Sequence, residues 1–227
     1  MTSGTKTYGK LTVFEGPDGV GKSAISERVA AGLGSRGQPT SLLTFPGREA
    51  GTLGRLVYDL HHDPDRFGVG EISPVSKQVM HVAAHLDAIE HVIGPTLRAG
   101  RDVMLDRFWW STWVYGAVAG VSRRVLQSLI NTELAQWGDL RPALVILLRR
   151  STPLGREHNA GDWLALQREY DALASREQGH YPILIVENAV SLDAIVCRIL
   201  DTLLAHQQTA GFTNVPHGVQ GQPGCSQ

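Results

Sequence analysis

The sequence predicts an α/β fold in which a five-stranded parallel sheet carries helices on both faces. Three observations lead to this prediction. Five short apolar runs alternate with segments of helical periodicity, a glycine-rich loop joins the first run to the first helical segment, and the 227 residues suffice for one domain with a large core. Runs that are apolar at consecutive positions are typical of strands buried on both faces, as in a parallel sheet.

The predicted strands are the five apolar runs. They cover residues 11–16, 41–45, 101–107, 143–150 and 183–187. The first strand, the loop, the first helix and the second strand fit within about 35 residues, the usual length of a βαβ unit. Ligands of such sheets bind beyond the carboxyl ends of the strands, so we expect the functional site at that edge.

The predicted helices follow from apolar residues spaced three and four positions apart. One helix follows the glycine-rich loop, and the others cover residues 51–63, 74–97, 122–137, 163–176 and 191–206. Gly94 and Pro95 are expected to interrupt or end the longest helix, and Ser191 is expected to cap the last one.

The pattern predicts one domain with a loose segment at each end. Residues 1–10 are polar and contain glycine, so they are predicted to form a flexible lead-in, followed by a domain over residues 11–206 with a short lid near 149–162. Residues 207–227 are rich in Gln, Gly, Pro and Asn and have little to bury, which predicts a disordered tail.

The composition argues against several classes of protein. A formal net charge of -1 gives no overall attraction to nucleic acid or to an acidic membrane. The two cysteines have no metal-ligand spacing, which argues against a zinc site or a disulfide scaffold. No apolar run approaches the roughly 18 residues of a membrane span, so we expect a cytoplasmic protein with no membrane partner.

The glycine-rich loop, GPDGVGKS at residues 16–23, matches the phosphate-binding pattern G-x-x-x-x-G-K-[ST]. Glycines let the backbone close around an anion, and the helix that begins near Lys22 adds the positive end of its dipole. We expect Lys22, exposed at the loop, to reach the β- and γ-phosphates of a nucleoside triphosphate, and Ser23 to bind Mg²⁺. The alternative, a glycine-rich connection without a ligand, is disfavoured by the strand before it and the helix after it. The expected nucleotide contacts are Gly16, Asp18, Gly19, Val20, Gly21, Lys22, Ser23 and Ala24.

Polar residues also follow the second and third strands. Asp106 and Arg107 end the third strand at the edge that carries the glycine-rich loop, where an acid can organise Mg²⁺ and an arginine can clamp phosphate oxygens. Arg48 follows the second strand and would lie over the same edge. The alternatives are a surface ion pair for the first two residues and a solvated loop arginine for Arg48.

Three segments in order, FEGPDGVGKS, FPGREAGTLG and DRFWWSTWVYG, resemble the motifs of the thymidylate kinases, and the resemblance extends over about residues 10 to 205. It implies the P-loop kinase fold and transfer of the γ-phosphoryl group of ATP to a nucleoside monophosphate, either thymidylate or a related deoxynucleotide. It further implies a homodimer formed through helices that include the long one before the third strand.

The resemblance also implies roles for individual residues. Lys22 and the loop amides would hold the donor, and Asp18 would contact the acceptor sugar or a metal-bound water. Arg48 and Arg107 would hold the acceptor phosphate, Tyr115 would contact the substrate, and Asp106 would join Ser23 at Mg²⁺. Catalysis would then consist mostly of positioning and charge neutralisation.

The chain departs from the family in the helix before the third strand. The family usually carries an arginine there that contacts the thymine base, whereas QVMHVAAHLDAIEHV contains none. His81, His85 and Asp87 occupy the region, and His85 is the candidate replacement. The alternative for His85 is a solvated histidine on the helix surface.

The glycine-rich loop also contains no arginine. Members of the family whose loop lacks an arginine usually have one in the lid instead. The loop after the fourth strand offers Arg149, Arg150 and Arg156. We expect Arg156 to close on the transferred phosphate, and the alternative is that any of the three is surface charge.

Three tryptophans, Trp109, Trp110 and Trp113, follow the Asp106-Arg107 pair. Packing in the core or in a dimer is the favoured interpretation. The alternative is a platform on which a base stacks, such as a base of a nucleic-acid acceptor.

Three functional hypotheses follow. The first is a thymidylate-kinase-like nucleoside monophosphate kinase. The second is a kinase of the same fold that acts on a modified nucleotide or on a hydroxymethylated base in DNA. The third is a nucleotide-binding regulatory module without turnover.

Overall fold

The computed structural model describes residues 8–155 and 160–211. Its centre is a sheet of five parallel strands in the order β2-β3-β1-β4-β5. The strands are β1 (Leu11–Glu15), β2 (Thr40–Thr44), β3 (Asp102–Asp106), β4 (Pro142–Arg149) and β5 (Ile183–Glu187). All five predicted strands are therefore confirmed, with bounds that differ by a residue or so.

The helices are α1 (Lys22–Gly34), α2 (Leu53–His62), α3 (Pro74–Ala88), α4 (Gly94–Arg98), α5 (Trp109–Val118), α6 (Arg123–Trp137), α7 (Ala160–Glu177) and α8 (Leu192–Gly211). A π-helical turn over Ile89–Ile93 joins α3 to α4, so the predicted interruption of the long helix takes the form of a wider turn just before Gly94. Pro95 follows this turn and has no N–H to donate to the preceding turn, so the regular helical hydrogen-bond pattern is interrupted there.

Alternation along each strand places side chains on both faces of the sheet. Val13, Leu105 and Leu147 lie in one apolar core, which α5 and α6 help to cover. Their neighbours Phe14 and Met104 lie in the other core, with residues of α1 and α8. The predicted sheet with helices on both faces is confirmed.

This arrangement opens a crevice beside β1. The helix after β1 packs on one face of the sheet, and the helix after its neighbour β3 packs on the opposite face. The loops that follow these two strands therefore diverge at the carboxyl edge, which is where parallel sheets place their ligands.

The described part of the predicted lead-in, residues 8–10, is bound to the domain. Gly9 donates its N–H to the carbonyl of Leu97 at 2.8 Å, Lys10 donates to Asp102 at 2.7 Å, and Tyr8 packs against the core. Residues 8–10 are thus held in place, although a flexible lead-in was expected. Helix α8 extends beyond the predicted end at residue 206, and most of the predicted tail lies outside the described residues.

The tryptophans of α5 belong to the core, as the favoured interpretation predicts. Trp109, Trp110 and Trp113 are 2%, 0% and 5% exposed, and Trp110 donates its indole N–H to the hydroxyl of Tyr181 at 2.8 Å. The stacking-platform alternative is therefore wrong, because no indole face is open to a base. Over the described part of the chain, no helix is apolar along a stretch long enough to span a bilayer.

Candidate active site

The glycine-rich loop is held between β4 and the segment after β5. Gly16 has a φ of 138°, and a Cβ there would lie 2.5 Å from the carbonyl oxygen of Leu148, so only glycine fits. Asn188 donates its side-chain amide to the carbonyl of Val20 at 2.8 Å, and the N–H of Leu154 bonds to the carbonyl of Gly19 at 2.7 Å. The loop conformation is thus fixed from both sides.

Lys22 is buried, contrary to the expectation that it would be exposed. Its side chain turns into the loop, where Nζ donates to the carbonyls of Gly16 at 2.7 Å and Pro17 at 2.9 Å. Burial lowers the pKa of Lys22 to about 8, with the nearby Arg107 acting in the same direction. The ammonium group therefore lies inside the curve that a phosphate chain would follow.

Ser23 and Asp106 meet at the end of β3. The hydroxyl of Ser23 donates to Oδ2 of Asp106 at 2.8 Å. Oδ1 of Asp106 is buried and has no hydrogen-bond partner among the described residues. An unpartnered carboxylate oxygen beside a hydroxyl is a set of oxygen donors that suits Mg²⁺, which usually takes one or two protein oxygens and completes its shell with water and phosphate.

Arg107 adopts a backbone conformation that is rare for a residue with a side chain. Its φ is 86°, in the left-handed region that favours glycine. The guanidinium forms an ion pair with Asp18 and donates to the hydroxyl of Ser111 at 2.9 Å. A strained residue held by several partners is typical of functional sites, where the surrounding structure maintains the strain.

Asp18 and Tyr115 bind each other through two hydrogen bonds. The Tyr115 hydroxyl accepts the N–H of Asp18 and donates to its carboxylate, each at 2.8 Å. Burial opposes ionisation of Asp18, but Arg107, Lys22 and the Tyr115 hydroxyl together lower its pKa to about 2. The side chain of Asp18 is therefore a carboxylate at neutral pH, with a fixed orientation.

Glu15, at the end of β1, was missed by the sequence analysis. The residue is fully buried, and its Oε1 accepts the backbone N–H groups of Phe108 at 2.8 Å and Ser111 at 3.1 Å. Its Oε2 accepts the hydroxyls of Ser111 at 2.8 Å and Tyr170 at 3.1 Å. Glu15 thus fixes the segment that carries Arg107. The only sequence signal was an acidic residue at the end of an apolar strand.

Two cavities open at this edge of the sheet. The smaller, of about 200 Å³, is lined by Gly21, Lys22, Ser23, Ala24 and Asp106 among others. The larger, of about 870 Å³, extends between α2, α3 and α5. Both are lined by Asp18, Gly19, Arg48, Arg107 and Leu154. The two cavities therefore meet at one carboxylate and two guanidinium groups.

The structure brings together most of the predicted site residues. Arg48 is exposed, lies over the Tyr58 ring with its guanidinium 5.0 Å from the ring centre, and lines both cavities. Tyr115 and His85 line the larger cavity. Two of the predicted loop contacts, Gly16 and Val20, line neither cavity. The Val20 side chain is buried in the core, and the carbonyl of Gly16 accepts from Lys22.

His85 is buried, so the alternative of a solvated surface histidine is wrong. Its Nδ1 lies 2.7 Å from Oε2 of Glu133 on α6, and its ring stacks on Phe45 with 4.0 Å between the ring centres. Neither contact could be predicted, because Phe45 and Glu133 are both far from His85 along the chain.

Two described arginines, Arg149 at the end of β4 and Arg150 directly after it, have structural partners. Arg149 forms an ion pair with Asp171 of α7, with Nε 2.7 Å from the carboxylate, and Arg150 donates to the carbonyl of Asn188 at 3.0 Å. Arg156, the expected lid residue, lies outside the described residues.

Comparisons with known proteins show which family the chain is similar to. The family model for thymidylate kinase matches residues 14–208. The thymidylate kinase of Dinoroseobacter shibae is 38% identical over 135 residues, which are 58% of this chain and 62% of that relative, or less than two thirds of its length. The thymidylate kinase of Methylococcus capsulatus is 30% identical over 214 residues, which are 88% of this chain and 98% of that relative.

A solved structure shows the same fold. The crystal structure of thymidylate kinase from Ehrlichia chaffeensis matches this chain with a TM-score of 0.70 at 17% identity, and the match covers 86% of this chain and 99% of that one. The predicted P-loop kinase fold is therefore confirmed.

Proposed function

Because the chain belongs to the thymidylate kinase family of nucleotide kinases, we propose that it transfers the γ-phosphoryl group of ATP to the phosphate of thymidine 5′-monophosphate (dTMP). The products are ADP and thymidine 5′-diphosphate. One observation carries the proposal: the cavity lined by the glycine-rich loop and the larger cleft share Arg48, Arg107 and Asp18. A donor in the first cavity and an acceptor in the second would place their phosphates side by side at this junction.

The donor side is supplied by the glycine-rich loop and the start of α1. Backbone N–H groups and the positive end of the α1 dipole would hold the triphosphate. Lys22 would exchange its bonds to the carbonyls of Gly16 and Pro17 for bonds to phosphate oxygens. The ammonium group needs to move little, because it already lies within the loop.

Asp106 and Ser23 would hold Mg²⁺, and the unpartnered Oδ1 of Asp106 beside the Ser23 hydroxyl fits this ion. When bound, Mg²⁺ neutralises phosphate charge and aligns the phosphates for transfer.

The acceptor side is supplied by the two arginines and the large cleft. Arg48 and Arg107 would hold the acceptor phosphate, and the fork of each guanidinium matches the geometry of phosphate oxygens. An oxygen of the acceptor phosphate attacks the γ-phosphorus as the bond between that phosphorus and the bridging β-γ oxygen breaks. The attacking oxygen is already ionised at neutral pH, so no general base is needed, and catalysis consists of positioning and charge neutralisation.

Asp18 would contact the acceptor sugar, since its carboxylate lines the cleft and is fixed by Tyr115 and Arg107. Tyr115 supports that carboxylate and lines the same wall. Arg156 stays our candidate for the lid residue that reaches the transferred phosphate.

The proposal is tested by incubating the protein with ATP, Mg²⁺ and one nucleoside monophosphate at a time. We expect rapid ADP formation with dTMP and a matching amount of thymidine diphosphate. If no monophosphate causes ADP formation but hydroxymethylated DNA becomes labelled, the protein is instead a kinase that acts on a modified base in DNA. Tight ATP binding without transfer to any acceptor would favour a regulatory module.

We also propose that the chain forms a homodimer through α3. Val75 and Val79 lie one turn apart on this helix and are 40% and 46% exposed. An apolar face of this kind is typically covered by a partner. Light scattering should give the mass of a dimer, and Val79→Glu should reduce it to that of a monomer.

A further inference from the structure

The guanidinium of Arg107 has two anchors in different surroundings. Asp18 belongs to the glycine-rich loop, and its side chain is 49% exposed, so a substrate can reach it. Ser111 lies in the first turn of α5 and is buried, with its hydroxyl oxygen 2.9 Å from Nη1 of Arg107. Ser111 is therefore the anchor that is shielded from solvent.

The hydroxyl of Ser111 has to accept a hydrogen bond from Arg107. A guanidinium only donates, so the single hydrogen of Ser111 must point to a different partner. Two acceptors lie within reach, Oε2 of Glu15 at 2.8 Å and the hydroxyl oxygen of Tyr170 at 2.9 Å. A hydrogen directed at either of them leaves a lone pair of Ser111 for Arg107.

Tyr170 completes a triangle of oxygen atoms with Ser111 and Glu15. Its hydroxyl donates to Oε2 of Glu15 at 3.1 Å and lies 2.9 Å from Oγ of Ser111. Burial raises the pKa of Tyr170 well above its usual value, so the hydroxyl keeps its hydrogen at neutral pH. Each of the three oxygens is thus in contact with the other two.

Tyr170 comes from a different part of the chain than its two partners. It belongs to α7, whereas Glu15 ends β1 and Ser111 lies in α5. Its side chain is 1% exposed and lines neither cavity, so a substrate in either cavity does not touch it. Within the described part of the chain, its hydroxyl bonds only to Glu15 and Ser111. An effect of this hydroxyl on the reaction must therefore pass through those partners.

We propose that Tyr170 is a positioning residue for phosphoryl transfer: its hydroxyl fixes that of Ser111, and Ser111 holds the Arg107 guanidinium in the orientation that binds the acceptor phosphate. Without the tyrosine hydroxyl, the Ser111 side chain loses one of the partners that select its rotamer. The guanidinium then loses a fixed acceptor, and a shift of about 1 Å in a group that positions a substrate can be costly. This inference rests on the proposed function, because it takes the acceptor phosphate to bind at Arg107.

The first test uses Tyr170→Phe, which keeps the ring in the core and removes only the hydroxyl. Titration calorimetry with dTMP and with thymidine separates the phosphate contact from the rest of the binding energy, because thymidine lacks the phosphate. We expect the affinity for dTMP to fall about tenfold and that for thymidine to change less than about twofold. An unchanged ratio of the two affinities would overturn the inference.

Tyr181→Phe is the matched control. Tyr181 is also buried, and its hydroxyl accepts the indole N–H of Trp110, a residue of α5, at 2.8 Å. Among the residues that the structure describes, it forms no hydrogen bond with Ser111 or Glu15. Both variants should unfold at a lower temperature, but only Tyr170→Phe should change the ratio of dTMP to thymidine affinity. An equal fall of this ratio in both variants would reduce Tyr170 to a purely structural role.

The second test combines Tyr170→Phe with Ser111→Ala. Ser111→Ala removes the hydroxyl through which Tyr170 is proposed to act, so the two changes should not be additive. In the Ser111→Ala background, Tyr170→Phe should lower the ratio of dTMP to thymidine affinity by less than about twofold. A full tenfold fall in that background would contradict the route through Ser111.

The proposed function and the role of Tyr170 fail differently, because the affinity ratio does not depend on turnover. If the wild type binds dTMP more tightly than thymidine but transfers no phosphoryl group, the proposed function is wrong, and a lower ratio in Tyr170→Phe still supports the positioning role. If the wild type phosphorylates dTMP and Tyr170→Phe has the wild-type ratio, the kinase assignment stands and the role of Tyr170 is wrong. Equal affinity of the wild type for dTMP and thymidine would overturn both.

Discussion

Arg107 and Asp18 form an ion pair at the junction of the two cavities, so the guanidinium that we expect to hold the acceptor phosphate is already oriented by a carboxylate. The same guanidinium donates to Ser111, which is in turn bound to the buried Glu15. A chain of side chains thus connects the end of β1 to the phosphate site. A group fixed in this way loses little conformational entropy when the substrate binds.

Replacing Arg107 with lysine tests this orientation. Lysine keeps the positive charge but loses the fork, so it cannot bind Asp18, Ser111 and a phosphate at once. The backbone strain is unchanged, because both residues have a Cβ. We expect kcat/KM for dTMP to fall about 100-fold while the thermal unfolding temperature changes little.

Arg123→Lys is the matched control, because Arg123 is an exposed arginine paired with Glu169 on the surface. It should leave kcat/KM unchanged. If Arg107→Lys turns over dTMP at the wild-type rate, the forked geometry of the guanidinium is not required for the reaction.

Lys22→Met tests the donor side without a large change of volume. The methionine side chain fills the space that the buried Lys22 side chain occupies but cannot bind phosphate, so we expect kcat to fall at least about 100-fold. Circular dichroism should show a folded protein. Retained turnover in the folded variant would show that Lys22 is dispensable.

The lowered pKa of Lys22 predicts a pH dependence of nucleotide binding. Only the ammonium form attracts the triphosphate, and the pKa of about 8 means that this form is lost as the pH rises through 8. The association constant for ATP should therefore fall up to about tenfold per pH unit above pH 8.

Calorimetry at pH 8.5 in buffers of different ionisation enthalpy measures this linkage. Binding should take up a proton, because the bound phosphate restores the charge of Lys22, and in Lys22→Met that uptake should disappear. Proton uptake of the same size in Lys22→Met would assign the titration to a different group.

Glu15→Leu tests the support beneath Arg107. Leucine leaves the N–H groups of Phe108 and Ser111 buried without an acceptor, so the free energy of unfolding should fall by about 3 kcal/mol. Glu15→Gln keeps one acceptor oxygen for these two N–H groups, and the hydroxyls of Ser111 and Tyr170 can rotate to accept from the new amide. The free energy of unfolding of this variant should therefore fall by only about 1 kcal/mol. Urea denaturation measures both, and equal stabilities would contradict this account of Glu15.

The elements of the fold could be predicted because their signals are local. A run such as residues 143–150 is apolar at nearly every position, which fits only a strand covered on both faces. The glycine-rich loop was recognised because its spacing, the strand before it and the helix after it occur together.

The partners of the site residues could not be predicted, because they depend on tertiary packing. Lys22 was expected to be exposed, but the loop folds back so that the carbonyls of Gly16 and Pro17 receive its ammonium group. His85 has its partner on α6, and periodicity indicates which face of a helix is apolar but not which helix covers it. For the same reason, nothing indicated that Glu15 would bind the segment after β3.

The central claim is that two cavities meeting at Arg48, Arg107 and Asp18 form a single phosphoryl-transfer site. A probe in which adenosine and thymidine are joined 5′ to 5′ through five phosphates would span both cavities. Calorimetric competition should show that one molecule of this probe binds per chain and prevents the binding of both ATP and dTMP. Displacement of only one of the two substrates, with the other still bound at its original affinity, would contradict the claim.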